Sequence, residues 1–134
     1  MVNKMYDLSN KSLGKIGENI AIKYLKKNKY RIVEANYATK AGEIDIICEN
    51  KKCIVFVEVK TRKKDSLVSG VYAVNKKKQY HIFKAASSYI SAKNIKKQPR
   101  FDIIEVEFDE NNNCAQVAEH YVDAFSQGGS YAVF

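Results

Sequence analysis

The apolar positions of this chain recur with two different spacings, and the changes from one to the other outline its elements. Ser12 can cap a helix, and after it Leu13, Ile16, Ile20 and Tyr24 fall on one arc, widened by Ala21 and Leu25. Lys15, Asn19, Lys23 and Lys26 gather on the opposite side, which predicts an amphipathic helix to about Asn28. Tyr30 to Tyr37 (YRIVEANY) reads as a short strand, rich in aromatic and β-branched residues. Gly42 to Cys48 (GEIDIIC) and Cys53 to Lys60 (CIVFVEVK) are two more strands, and the brief polar link Glu49-Asn50-Lys51-Lys52 makes them an antiparallel hairpin. The second is apolar almost to its end, as a central strand covered on both faces should be.

Thr61 to Val74 reads as a loop with Gly70 in its middle, after which Asn75 caps a second helix to about Ala92. Its stripe is Ile82, Ala86, Tyr89 and Ile90. Lys93 to Arg100 is a basic linker with the only proline, Pro99, and Phe101 to Phe108 (FDIIEVEF) a further strand. Asn111-Asn112-Asn113 marks a turn, and Gln116 to Phe125 a last strand or short edge element. The order αβββαββ predicts an α/β fold, a mixed central sheet flanked by helices. Residues 1–11 and 126–134 read as loose tails on a single domain, since 134 residues can bury one core unaided.

Composition narrows the function classes. No apolar run approaches the roughly 20 residues that span a bilayer, and Met1 to Asn10 lacks the apolar stretch of a secretory signal. A cytoplasmic protein with no membrane partner is therefore expected. Cys48, Cys53 and Cys114 are odd in number and lack ligand-like spacing, so they read as small hydrophobes rather than disulfides or a zinc site. The net charge of +8 suits a polyanionic partner.

Charged residues inside apolar strands require a reason. Successive strand side chains point to opposite faces, so Glu43 and Asp45 should share one face of the first hairpin strand, with Ile44 and Ile46 on the other. In the second strand Glu58 and Lys60 should share the face of Ile54 and Phe56, with Val55, Val57 and Val59 opposite. A two-residue loop at Lys51-Lys52 puts Asp45 directly across from Glu58; a four-residue loop makes them diagonal neighbours. Either register gathers carboxylates and an ammonium at one place. Held together without a cation, such carboxylates are disfavoured by desolvation and mutual repulsion. Hard oxygen ligands on strands suit Mg²⁺ or Mn²⁺, which keep waters and accept phosphate oxygens. Lys60 could orient a water or neutralise charge developing on a phosphate. Glu18, at the edge of the first helix's apolar side, should face the sheet or a cavity. Gly14 and Gly17 beside it, poor helix formers, suggest a close helix–sheet approach or room for a ligand.

This ordered set, a helical Glu18, then GEIDII with Asp45, then VFVEVK with Glu58 and Lys60, resembles the PD-(D/E)xK nuclease superfamily. Within it the chain is similar to the YraN-like family of uncharacterised proteins, described as relatives of archaeal Holliday-junction resolvases. The likeness runs from about Leu13 to Phe108. It implies a restriction-endonuclease-like αβββαβ core and a metal-dependent nuclease. Asp45 and Glu58 would be metal ligands, the Val59 carbonyl would complete the shell, and Glu18 would be the first-helix acid; Glu43, on the face of Asp45, is a further metal candidate from the strand pattern itself. Lys60 would serve as catalytic base or charge stabiliser. The motif's proline is absent, and Ile44 precedes Asp45. Some relatives carry Gln-x-x-x-Tyr; here Gln79 is followed at the fourth place by Phe83, so only Gln79 is carried over as a catalytic candidate.

Basic runs complete the expectation. Arg62, Lys63 and Lys64 follow the catalytic strand, Lys76, Lys77 and Lys78 open the second helix, and Lys96, Lys97 and Arg100 precede the next strand. All are candidate phosphate contacts grouped around the carboxylates. The reading is a Mg²⁺- or Mn²⁺-dependent endonuclease acting on DNA, branched DNA included, with a homodimer left open. The alternative is a nuclease-fold accessory protein that binds nucleic acid with weak or lost catalysis.

Overall fold

Seven elements follow one another along the chain: α1 (Asn10–Lys27), β1 (Arg31–Ala38), β2 (Glu43–Glu49), β3 (Cys53–Lys63), α2 (Lys76–Lys93), β4 (Gln98–Asp109) and β5 (Cys114–Tyr121). They come from a computed structural model that describes residues 10–65 and 74–126. The strands form one sheet in the order β1-β2-β3-β4-β5. Neighbours are antiparallel except β3 and β4, which run parallel and are joined through α2. The architecture is α/β, with a mixed five-stranded sheet and two helices, consistent with a restriction-endonuclease-like core.

Alternation along β3 divides the core into two layers. Ile54 and Phe56 pack with Ile82, Ala85, Ala86 and Tyr89 of α2, while Val55, Val57 and Val59 pack with Ala21 and Leu25 of α1. Each of these larger side chains contributes about 1.5–3 kcal/mol by leaving water, so β3 is the best-anchored strand. The charged residues at its end are therefore held on a rigid support.

Several boundaries differ from the sequence expectation. Helix α1 begins two residues before Ser12. Strand β3 continues through Thr61, Arg62 and Lys63, residues expected in a loop, because they pair with Val106, Glu107 and Phe108 of β4. There Arg62 forms ion pairs with Glu105 and Glu107, so a polar stretch remains extended without an apolar face. Strand β4 starts inside the expected linker, and Pro99 fits because β4 gains its second partner, β5, only from Ile103 onward. The element at β5 starts at Cys114 and ends at Tyr121, earlier than expected at both ends. Cys48 is buried and Cys53 partly buried, but Cys114 is exposed, so the expectation of a buried hydrophobe fails there. The expected Gly70 loop centre and most of both tails lie outside the described residues.

Strand β2 departs from simple alternation. Its ladder with β3 runs from Glu49↔Ile54 to Ile46↔Val57, the register of a Lys51-Lys52 loop. Asn50 caps that turn by accepting hydrogen bonds from the Lys52 and Cys53 N–H groups. Continuing the ladder would pair Val59 with Ile44. Instead the Val59 N–H donates to Asp45 Oδ2 at 2.8 Å. The side chain takes over where main-chain pairing stops, and the alternation shifts: Ile44 joins the α2 layer and Ile46 the α1 layer. The expectation that Ile44 and Ile46 share a face is thereby corrected.

Candidate functional site

The break between β2 and β3 opens a pocket at the end of the sheet, between the first half of α1 and the start of α2. It measures about 350 Å³ and is lined by Leu13, Gly14 and Glu18 from α1, Asp45, residues 58–61 of β3, and Lys78. The two α1 glycines divide the roles foreseen for them. A Cβ on Gly17 would lie 1.8 Å from Thr61 Oγ1, so Gly17 permits the close approach of α1 to β3. Among the described residues nothing lies within 4 Å of a Cβ on Gly14, which borders the pocket.

Glu58 is the centre of the pocket's electrostatics. Only 4 % of its side chain is exposed, and Oε2 meets Lys60 Nζ at 3.2 Å and Lys78 Nζ at 3.5 Å. Its Oε1 is buried and has no hydrogen-bond partner among the described residues. Beside it, burial pushes the Asp45 carboxyl up to about 7; the Glu58 charge adds to this, and the Val59 N–H opposes it. Burial likewise raises Glu18, against a hydrogen bond from Asn36 and the charge of Lys15, while Glu43 and Glu58 push it further up. Three carboxylates from α1, β2 and β3 thus feel one another's charge. Glu43 itself is exposed at the start of β2, felt at the pocket but outside its lining.

Among the described residues no three His, Cys, Asp or Glu side chains form a ready group of metal ligands. That speaks against a cage built wholly from protein. The donors present, two carboxylates with one orphaned oxygen and an open side, fit an ion that binds through one or two carboxylates and completes its shell with water and phosphate oxygens.

The other candidates divide into those near the pocket and those away from it. Gln79 is buried in the first turns of α2, where its side-chain amide donates to the Val74 carbonyl at 3.0 Å; it is not in the lining. Lys76 and Lys77 are exposed beside Lys78, which the pocket includes. Arg62 is paired with Glu105 and Glu107, Lys63 with Glu110 and Lys64 with Asp109, so that run is largely neutralised. Lys97 and Arg100 lie at the opposite end of the sheet, since β4 starts beside the start of β3. The basic runs do not all surround the carboxylates, as the sequence reading had them.

Three features were missed. Lys78 joins Lys60 on Glu58, which a helix-start lysine does not announce. Asn36 supports Glu18 from within β1, and its φ of 54° lies in the left-handed region that asparagine tolerates better than most residues. An asparagine in an otherwise strand-like segment was the available signal. His120, read as having no partners, bridges Asp102 at 2.8 Å and the Tyr24 hydroxyl at 3.0 Å. Asp102, fully buried, also takes both Arg100 bonds and the Asp123 N–H. Burial drives its carboxyl upward, but the bonds from His120, Arg100 and Asp123 together hold it below the ordinary range.

Comparison with known proteins adds relatives. Residues 17–106 match a family model described as "Uncharacterised protein family UPF0102". A UPF0102 protein of Caldanaerobacter subterraneus subsp. tengcongensis is 43% identical over 122 residues, covering 90% of this chain and all of the relative. One from Geotalea uraniireducens is 44% identical over 117 residues, 87% of this chain and 91% of its own. A third, from Alkaliphilus metalliredigens, is 50% identical over 97 residues, 72% of this chain and 85% of its own.

Proposed function

The chain belongs to UPF0102, an uncharacterised family, and on that premise we propose that it is a divalent-metal-dependent nuclease of the PD-(D/E)xK type, acting on DNA. The observation that carries this reading is the buried, half-unsatisfied Glu58 set beside Asp45, with two ammonium groups on the same carboxylate and an open side. A carboxyl pushed up by burial beside a second carboxylate in a cleft is the kind of group found at functional sites. Asp45 and Glu58 would hold Mg²⁺ or Mn²⁺, with the Val59 carbonyl as the further donor and Glu18 as the first-helix acid that the family resemblance implies. When bound, such an ion activates water and offsets charge on the phosphate.

The chain's own groups have separable parts. Asp45 is fixed by the Val59 N–H, so its free oxygen is oriented before any ligand arrives. Lys60, partly exposed, can turn from Glu58 toward a phosphate oxygen once that carboxylate has another cation. Lys78 can supply a second ammonium from the start of α2, where the helix dipole also favours an anion. Neither helix has an acidic residue in its first turn to compete for that position. Among the described residues no helix is long and apolar enough to cross a membrane.

The test is a panel of labelled linear, nicked, branched and single-stranded DNA, with RNA counterparts, incubated with Mg²⁺ or Mn²⁺. Cleavage that Asp45→Ala abolishes supports the proposal. Binding without cleavage on every substrate would make the chain an accessory protein instead.

A further inference from the structure

The surplus positive charge is not where the pocket is. At the pocket end most cations are matched by acids, the exposed Lys76 and Lys77 apart: Glu58 takes Lys60 and Lys78, Glu105 and Glu107 take Arg62, and Glu110 and Asp109 take Lys63 and Lys64. From Glu58 the strand β3 leads back to Cys53, roughly 17 Å away at about 3.3 Å per residue. At that far end α1 finishes in Lys26 and Lys27, and Lys29 and Arg31 follow at the turn into β1. The β2–β3 hairpin presents Lys51 and Lys52, and Lys96 and Lys97 stand between α2 and β4. Apart from the partly covered Lys97, these side chains are exposed. Of the acids at this end, Glu49 is already shared by Arg31 and Lys97, and Asp102 by Arg100 and His120.

The three turns form one surface. The Lys52 carbonyl accepts the Gln98 N–H at 3.2 Å, and Lys97 Nζ donates to the Asn50 carbonyl at 2.9 Å. Arg100 reaches across to the Tyr30 hydroxyl at 2.7 Å, joining the start of β4 to the α1–β1 turn. The helix dipole accounts for Lys26 and Lys27, worth about 0.3–1 kcal/mol each at a helix C-terminus. It does not account for Lys29, Lys51, Lys52 or Lys96, which lie on turns where like charges repel one another.

We propose that this end of the sheet is a second nucleic-acid-binding surface, where the phosphate backbone lies across the three lysine-bearing turns, remote from the pocket. The location rests on the charge distribution alone; the choice of a nucleic acid as the polyanion rests on the nuclease reading. A membrane surface fits less well, because stable attachment adds buried apolar area to the cations. The large exposed hydrophobics among the described residues, Tyr80 and Val122, belong to α2 and the turn after β5 rather than to these turns. A nucleic acid engaged at both ends must cover at least about 17 Å, or about five base pairs at 3.4 Å each. Substrates shorter than that on one side of the cut should lose affinity.

The experiment measures binding of a fluorescent DNA duplex by anisotropy in EDTA across a range of salt. Each phosphate contact adds about 0.9 to the log–log slope, so Lys51→Ala/Lys52→Ala/Lys96→Ala should flatten it by up to about 2.7. Lys26→Ala/Lys29→Ala, on the neighbouring turn, should flatten it by up to about 1.8. Circular dichroism checks that each variant is folded. An unchanged slope in both folded variants, or a wild-type chain that does not bind the duplex, overturns the proposal. So does a loss of binding to phosphatidylserine vesicles with DNA binding intact, which would make the surface a membrane contact. No metal or turnover is involved, so these slopes report the surface whether or not the chain cleaves DNA.

Discussion

Replacing Asp45 by asparagine should stabilise the metal-free protein, and by more at pH 8.5 than at pH 5. The Asp45 carboxyl is raised from its ordinary 3.8 to about 7, first by burial and then by the Glu58 charge. Between those two values the folded state binds more protons than the unfolded state, so stability falls as pH rises through the window. At about 1.4 kcal/mol per pH unit, the whole rise limits the effect to roughly 4 kcal/mol. Because the proton is coupled to Glu58 and the site is partly open, about half of that, roughly 2 kcal/mol, is the expected size. Asparagine keeps an oxygen for the Val59 N–H and removes only the charge. Urea unfolding at pH 5 and pH 8.5 in EDTA measures this directly. The Asp45→Asn gain should be under about 1 kcal/mol at pH 5 and about 2 kcal/mol at pH 8.5. An equal effect at both values would show that Asp45 carries no electrostatic strain.

Gly17→Ala should cost about 1–3 kcal/mol by overpacking against Thr61, whereas Gly14→Ala should be neutral or stabilise α1 by up to about 1 kcal/mol. Thermal unfolding of the two variants tests the asymmetry. Asp102→Ala should destabilise by about 3–5 kcal/mol, since it strands the largely buried Arg100. Its lowered carboxyl means that this stability is present above pH 3.8 and is lost as pH falls through the lower folded-state value, so the deficit should shrink in strong acid. Calorimetry should show Mg²⁺ or Mn²⁺ binding to the wild type and at least tenfold weaker binding to Asp45→Ala, a loss of about 1.4 kcal/mol or more; equal affinity would remove Asp45 from the site.

Much of the fold was legible because β3 and both helices carry strong periodic signals. The seven-element order follows from those signals and the hairpin from the short polar link before 53–59, while its register, open between a two-residue and a four-residue loop, was decided by the ladder itself. Elements whose boundaries depend on partners were less legible. Arg62 and Lys63 continue a strand because Glu105 and Glu107 await them on β4, which no local pattern shows. Similarly, the alternation in β2 fails at Asp45 because a side chain substitutes for the main chain in the ladder. At the pocket, Glu18, Asp45, Glu58 and Lys60 are brought together as their positions on strand and helix suggested. The second lysine on Glu58 and the Asp102–His120 pair arise from contacts distant in sequence, which spacing along the chain does not encode. Charge runs were the least informative, because a lysine's acidic neighbours across the sheet decide whether it is free.

The central claim is that Asp45, Glu58 and Lys60 act together in breaking a phosphodiester. Single-turnover cleavage by wild type, Asp45→Ala and Lys60→Ala, each beside its DNA affinity, tests it most directly. The account predicts metal-dependent cleavage by the wild type and none by Asp45→Ala. It predicts a loss of about 10²–10⁴-fold in the Lys60→Ala rate, with affinity largely kept. Cleavage that persists undiminished in Asp45→Ala, or a Lys60→Ala loss of rate matched by an equal loss of affinity, would contradict it.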